Sequence, residues 1–298
     1  MEPEFSVIIP TYRRPAELAD CLHALAVQDF PRDQFEVIVA DDGGGGLEDL
    51  RDFAVRSFSQ CVFVSQSRSG PGSARNLGAR HARGRFLAFA DDDCEPSPHW
   101  LSTLSVTLRA QCDALVGGRT VNSIRGNWYS AASQHLIDFL YDAYTDYGRF
   151  FTSNNFAMSS RLFASLGGFD VTFRLPAGED RDLCSRWASI GPLIYSPTAL
   201  VYHSHFLTLH GFWQQHFRYG RGAYQLHRRM RETGRPPLRV QAPGFYIGLF
   251  TRPFKNAVGS PGERLAIAML LGLSQTANVC GFAREALNQR GEPLDRSE

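Results

Sequence analysis

The strongest constraint on this chain is an alternation repeated through its first 120 residues. A short apolar run rich in β-branched or aromatic residues is followed by a polar or glycine-rich break, then by a stretch with helical spacing. Phe5–Ile9, Phe35–Ala40, Cys61–Val64, Phe86–Ala90 and Ala114–Gly118 read as strands, the first closed by Pro10. Between them, Pro15 opens a helix with Leu18, Leu22, Leu25 and Ala26 on one face, and further helices are expected near Leu47–Phe58, Ser73–Ala82 and Pro98–Ala110. Strands separated by helical stretches of this length imply βαβ units. The expected fold is therefore α/β, a Rossmann-like, mostly parallel sheet flanked by helices. In such sheets ligands sit beyond the carboxyl ends of the strands, so the residues that follow each strand carry the functional reading.

The remainder of the chain is less regular. Trp128–Tyr144 and Asp182–Ile190 read as helices, and Asn154–Ser159 and Ala199–His203 as strands. Beyond residue 205 the character changes to a C-terminal helical extension, giving a division into 1–205 and 206–298. Leu209–Arg231 is an aromatic and basic helix, Pro236-Pro237 breaks it, and apolar stretches follow at Phe245–Phe250 and Leu265–Leu273. The second stretch ends at Ser274, well short of the roughly 20 apolar residues of a spanning helix, and a helical hairpin is expected there. Its surroundings suit a platform on a membrane surface, an oligomer interface or a cap.

Composition excludes some functions. Lys+Arg is 31 against 30 Asp+Glu, so a general nucleic-acid binder, with its basic surplus, is not expected. The six cysteines form no CxxC pair, which speaks against a zinc ribbon or a redox dithiol. They read as small core residues of a reduced, cytosolic protein. No secretory signal precedes the first strand.

Four strand ends are polar. They are Pro10-Thr11-Tyr12-Arg13-Arg14, Asp41-Asp42 before Gly43–Gly46, the loop Gln66–Asn76, and Asp91-Asp92-Asp93. Three consecutive carboxylates after an apolar strand repel one another unless a cation compensates them, and a hard divalent ion is the obvious candidate. Asp41-Asp42 could accept from a base N–H or a ribose hydroxyl, or simply form a turn. The glycine run fails the dinucleotide fingerprint, because Glu48 stands where the last glycine should be. Gly70-Pro71-Gly72-Ser73 opens a helix whose N–H groups can face an anion.

Val7-Ile-Ile-Pro-Thr-Tyr12, Ala40-Asp-Asp-Gly43, Gly72-Ser-Ala-Arg-Asn-Leu-Gly78 and Phe89-Ala-Asp-Asp-Asp93 follow one another in the order and spacing of the family 2 glycosyltransferases. The chain resembles that family over about residues 4–205, including Gly167-Gly-Phe-Asp170 and Gly178-Glu-Asp-Arg-Asp-Leu183. The resemblance implies the GT-A fold and an inverting hexosyl transfer from a nucleotide-diphosphate sugar, most commonly a UDP-sugar, to a glycan, lipid or small-molecule hydroxyl. Synthesis of cell-envelope polysaccharide or glycolipid would be the setting.

By the same resemblance, Thr11, Asp41 and Asp42 approach the nucleoside, and Arg68 and Arg75 the ribose and phosphates, with Asp92 beside the donor. Asp91 and Asp93 match the DxD acids that hold Mn²⁺ or Mg²⁺, with His203 as a further contact; His205 is an equal alternative on the same strand face. Asp180 matches the catalytic base and Glu179 its neighbour. The implied location is the cytoplasm, peripheral on the inner membrane face if the C-terminal helices bind lipid. Two other readings stay open: a sugar-nucleotide pyrophosphorylase, disfavoured by Pro10-Thr11-Tyr12 where a glycine-rich basic loop would stand, and a catalytically silent nucleotide-sugar-binding module.

Overall fold

The computed structural model describes residues 2–143, 150–173, 177–255 and 259–290. Two compact units emerge. The first holds the chain up to Arg125, the described residues between 150 and 173, and Asp180–His205. The second holds Gly126–Ala143 and the chain from Phe206, with the described residues up to Glu179 that precede Asp180.

The first unit is built on one eight-stranded sheet. Its strands are β1 (Phe5–Thr11), β2 (Phe35–Asp41), β3 (Cys61–Ser65), β4 (Phe86–Phe89), β5 (Cys94–Pro96), β6 (Leu115–Asn122), β7 (Phe156–Ser159) and β8 (Leu193–His203). Their order is β3-β2-β1-β4-β7-β6-β8-β5. The βαβ reading holds for β1 to β4, which pair in parallel. Beyond β4 the sheet is mixed: β7 runs antiparallel to both β4 and β6, and β5 antiparallel to β8. The expected mostly parallel sheet is present, since β6 and β8 also pair in parallel, and the antiparallel pairings all involve the short strands β5 and β7. Short strands such as β5 and β7 can join an edge or fill a gap without a crossover helix.

The helices of this unit are α1 (Pro15–Ala26), α2 (Glu48–Ser57), α3 (Pro71–His81), α4 (Trp100–Ala110), then α6 (Ser160–Ser165) and α7 (Glu179–Trp187), numbered around α5 (Trp128–Ala143) of the second unit. The apolar stripe of α1 buries Leu18, Cys21, Leu22 and Leu25 completely. Each leucine contributes about 2 kcal/mol by leaving water. They pack with Val7, Ile9, Val37, Val39, Trp100 and Leu104 in one continuous core. On the other side of β1, Gly78 of α3 lies so close that an added Cβ would stand 2.6 Å from Ile8 Cγ2. That approach lets α3 lie flat on the sheet.

In the second unit, α5 packs with α8 (Leu209–Glu232), α9 (Pro243–Lys255) and α10 (Pro261–Arg290) around Ala132, Leu136, Phe212, Leu249, Ile267 and Leu271. Helix α5 covers Trp128–Ala143, and Tyr144 of the expected helix lies outside the described residues. The expected stop at Ser274 is overturned, because α10, 30 residues long, runs on to Arg290. Its polar side chains satisfy themselves on the preceding turn: Ser274 Oγ donates to Leu271 O at 2.7 Å, Thr276 Oγ1 to Gly272 O at 3.1 Å and Asn278 Nδ2 to Ser274 O at 2.9 Å. Such back-bonding keeps polar residues inside a helix. By length and composition, Pro261–Gln289 is long and apolar enough to cross a membrane.

All six cysteines are free. Cys21, Cys94 and Cys184 are core residues as expected, but Cys112 and Cys280 are exposed.

Candidate active site

The carboxyl ends of β1, β2, β3 and β4 meet at one rim, since the parallel register aligns Thr11 with Asp41 and Asp41 with Ser65. Backbone bonds extend this alignment. Asp42 N–H donates to Thr11 O at 2.9 Å, Gln66 N–H to Asp41 O at 3.0 Å and Ala90 N–H to Ile8 O at 3.2 Å. Topology alone therefore gathers the four polar strand ends.

Asp41 and Asp42 each shape a loop. Asp41 accepts from Gly44 N–H at 2.7 Å and Gly45 N–H at 3.0 Å. Asp42, almost fully buried, accepts from Gln66 Nε2, Ser69 N–H and Gly70 N–H, all at 2.8 Å. Gly70 has φ of +94°, a region that favours glycine, and it is the residue from which α3 starts. No side chain caps the start of this helix, and Ser73 Oγ donates to Gln66 Oε1 at 3.2 Å. Arg68 is exposed and lies over the Tyr12 ring, 4.5 Å from its centroid.

The acidic triplet is a tight turn, with Cys94 N–H donating to Asp91 O at 3.2 Å. Each carboxylate has a cationic partner. Arg75, 3% exposed, reaches Asp91 Oδ1 at 2.5 Å. Arg14 spans the next two, with Nη1 2.9 Å from Asp92 Oδ1 and Nη2 2.9 Å from Asp93 Oδ2. Thr11 Oγ1 donates to Asp92 Oδ2 at 2.9 Å. Arg14 was quoted in the first strand-end motif, yet sequence reasoning gave it no role. The signal available was its place at the same rim as the triplet.

His203 is the last residue of β8, and His205 lies beyond the strand's end, not on the strand face expected for both. His203 Nε2 is 3.2 Å from Asp93 Oδ1, and His205 Nδ1 is 3.6 Å from Asp93 Oδ2. Their rings stack at 5.2 Å with 12° between planes. Both imidazoles thus approach Asp93, with His203 nearer. The turn is tied to this strand by Ser204 N–H, which donates to Asp93 O at 2.9 Å.

Electrostatics separates the acids. Burial pushes Asp92 up to about 7 despite the opposing charge of Arg14. Burial acts the same way on Asp93, but hydrogen bonds from His203 and His205 and the Arg14 charge prevail and hold it well below the carboxylate range. His203 is raised because its bond to Asp93 outweighs its own burial. Asp93 and His203 lie close enough to share a cation, and a carboxylate oxygen with an imidazole nitrogen is a donor pair that divalent cations accept; the carboxylate of Asp91, the other acid of the DxD, is bonded to Arg75.

Asp180 stands at the first turn of α7 and accepts from Arg181 N–H at 2.7 Å. Its carboxyl is raised, chiefly by burial, with Asp91 adding to the rise and Arg75 and Arg181 opposing it. Arg75 therefore bears on both Asp91 and Asp180. Glu179, the preceding residue, is buried. The Gly167–Asp170 loop is clamped by Asn76, whose Nδ2 donates to Phe169 O at 2.8 Å and whose Oδ1 accepts Phe169 N–H at 2.9 Å.

The family described as Glycosyl transferase family 2 matches residues 6–166. The chain is 35% identical over 118 residues to the glycosyltransferase AglE of Haloferax volcanii, covering 39% of each chain. It is 37% identical over 92 residues to the poly(ribitol-phosphate) β-N-acetylglucosaminyltransferase TarS of Staphylococcus aureus, covering 30% of this chain and 16% of TarS. The matched stretches thus span well under half the length of these curated relatives. Among solved structures, the mannosyltransferase PcManGT from Pyrobaculum calidifontis, in complex with GDP-Man and Mn²⁺, aligns with a TM-score of 0.65 at 19% identity over 97% of this chain and 88% of that one. TarS 1–349 in complex with UDP-GlcNAc aligns with a TM-score of 0.54 at 18% identity, over 97% of this chain and 92% of that chain. The fold shared with these structures is GT-A.

Proposed function

This chain belongs to glycosyltransferase family 2, and from that premise we propose that it inverts the anomeric centre of a nucleotide-diphosphate sugar while moving the sugar to an acceptor hydroxyl. The observation that carries the reading is the double engagement of Arg75, bonded to Asp91 and acting by its charge on Asp180. It couples the acidic turn to a second, partly buried carboxyl in one rim.

Asp180 is the general base. Burial makes it a stronger proton acceptor than an exposed aspartate, and a general base of this kind accelerates transfer roughly 10²–10⁴-fold. The acceptor oxygen forms a bond to the anomeric carbon as the bond to the diphosphate oxygen breaks. The hydroxyl proton goes to Asp180 and the electron pair leaves with the diphosphate. Attack opposite the leaving group converts an α-linked donor into a β-linked product. Arg68 and Arg75 neutralise phosphate charge, their guanidinium forks suiting phosphate oxygens. Thr11, Asp41, Asp42 and Asp92 form the nucleotide end, with Asp41 and Asp42 also holding its two loops. Glu179 supports Asp180 from the preceding position. Asp91, Asp93 and His203 would hold Mn²⁺ or Mg²⁺, which when bound supplies Lewis-acid neutralisation of the departing diphosphate.

A UDP-sugar is the first donor to test, and GDP- and dTDP-sugars follow, because the two aligned structures carry different bases. The acceptor is a glycan, lipid or small-molecule hydroxyl, and nucleic acid is not a partner. For the extension, composition supports contact with the inner face of a membrane. Residues 206–298 hold 13 Lys+Arg against 6 Asp+Glu, and α9 and α10 leave Ile247, Phe254, Leu265, Met269 and Val279 exposed. Basic charge beside apolar side chains is the pattern that anionic lipid surfaces retain. Flotation with anionic vesicles tests this, and absence of binding refutes it.

The decisive experiment is release of nucleoside diphosphate from candidate donors with Mn²⁺, with and without EDTA. Asp180→Asn should lower turnover at least about 100-fold with donor binding retained. Equal turnover in that variant overturns the base assignment.

A further inference from the structure

Asp93, Cys94 and His203 bring three kinds of donor to one point: a carboxylate oxygen, Sγ and an imidazole nitrogen, all within 4.8 Å of one another. The placement follows from register. Cys94 and His203 are directly opposed partners across the antiparallel β5–β8 ladder, so their side chains leave the same face of the sheet. Asp93 Oδ1 is their common neighbour, 3.2 Å from His203 Nε2 and 3.8 Å from Cys94 Sγ. The other oxygen, Oδ2, faces Arg14 and His205. His203 is the outward member, with 26% of its side chain exposed, whereas Cys94 is fully buried and closes the inner wall.

The transfer reaction uses the carboxylates and the imidazole and leaves this thiol without a task. We propose that Asp93, Cys94 and His203 form a site for a thiophilic divalent cation, Zn²⁺ or Cd²⁺, which excludes the hard activating ion and stops turnover. One thiolate, one imidazole and one carboxylate are ligands that tetrahedral zinc accepts, with water completing the fourth position. Mn²⁺ and Mg²⁺ prefer oxygen ligands and leave the thiol protonated, while Zn²⁺ binds mixed donor sets more tightly than Mn²⁺ does. On binding, a metal–sulfur bond forms, the S–H bond breaks and its proton passes to bulk water; no electron is transferred. Because Asp93 serves both ions, their occupancies are mutually exclusive.

The binding site stands on the geometry of these three side chains, and only the inhibition rests on the transferase reading. The test uses the full chain, stripped with EDTA, in a background carrying Cys112→Ser and Cys280→Ser to remove the exposed thiols. Cd²⁺ is titrated without nucleotide, and the ultraviolet sulfur-to-cadmium charge-transfer band is read. The expected result is a band that saturates near one Cd²⁺ per chain and is lost in Cys94→Ser. No band in the parent, or a full band in folded Cys94→Ser, overturns the proposal. Should Cys94→Ser not fold, His203→Gln decides. It keeps the sulfur, so the band persists at saturation, but Cd²⁺ binding weakens at least about tenfold; unchanged affinity overturns the site. In the turnover assay with Mn²⁺, Cys94→Ser should raise the half-inhibiting Zn²⁺ concentration at least about tenfold, and equal inhibition in both proteins removes the inhibitory role. A chain that turns over no donor leaves the cadmium result intact, which separates the failure of one reading from the failure of the other.

Discussion

His216 offers a measurable link between burial and acid stability. It lies on α8 with no exposed surface, its ring 4.3 Å from that of Phe212 and 5.5 Å from that of Tyr219, and its Nε2 3.3 Å from Ser133 Oγ. Burial pushes it down to about 4. In the unfolded chain a histidine titrates near 6.5. The folded state therefore resists the proton that the unfolded state takes up, and stability present above pH ~6.5 is lost as the pH falls toward ~4. Linkage over those two values gives a loss of about 2 kcal/mol between pH 7 and pH 5, rising to about 3 kcal/mol at pH 4. Urea unfolding, followed by tryptophan fluorescence, should be run at both pH values on the wild type and on His216→Phe. Phenylalanine keeps the ring and removes the titration. Carboxylates that gain stability on acidification, such as Asp92, cancel when the two proteins are subtracted. The wild type should lose about 2 kcal/mol more than the variant on going to pH 5. Equal losses within about 0.5 kcal/mol would refute the argument that burial keeps this imidazole neutral.

Three further outcomes follow from the packing. Arg14→Met strips the shared cation from Asp92 and Asp93 and should destabilise the chain by about 2 kcal/mol, less than a fully buried pair because over a third of the arginine is exposed. Mn²⁺ should then raise the Tm of the variant more than that of the wild type, and equal metal-induced shifts would count against compensation by Arg14. Gly78→Ala drives a Cβ to 2.6 Å from Ile8 Cγ2 and should cost about 1–3 kcal/mol in thermal unfolding; a neutral result would mean α3 can lift without penalty. Asn155→Ala leaves Trp100 Nε1 and the carbonyls of Arg119 and Ala199 without the partner they now have at 2.8, 3.0 and 3.0 Å. A loss of about 3 kcal/mol is expected, read from denaturant midpoints, and a loss below about 1 kcal/mol would show that water replaces the amide.

The legible part of the sequence was the part governed by local pattern. The runs around Ile8, Ile38 and Phe89 announce buried strands because both faces are apolar, and the acids after them fall at the rim by topology. Beyond β4 the pattern is silent. β5 is three residues long, ends in Pro96 and follows three aspartates, so no periodicity marks it. β8 starts six residues earlier than its apolar core suggests, at Leu193, and carries Pro197 next to a register shift opposite Gly118 and Arg119. Pairing of such segments is decided by distant partners, which a local window does not contain. The site divides the same way. Asp91 and Asp93 are candidates by residue type and place, and Asp180 only through the family resemblance, whereas the bridge from Arg14 and the cross-strand match of Cys94 with His203 depend on three-dimensional closure. The polar residues that seemed to end α10 misled for a local reason as well, since Ser274, Thr276 and Asn278 bond to their own helix instead of breaking it.

The backbone bond from Ser204 N–H to the Asp93 carbonyl has a mechanical consequence. With Cys94 and His203 locked in the same ladder, the loop after β4 and the far end of β8 form the two jaws of a caliper whose gap is set by peptide geometry. Thermal breathing that tilts one jaw carries the other with it, so the spacing between carboxylate and imidazole survives motions that would spread two independent loops apart.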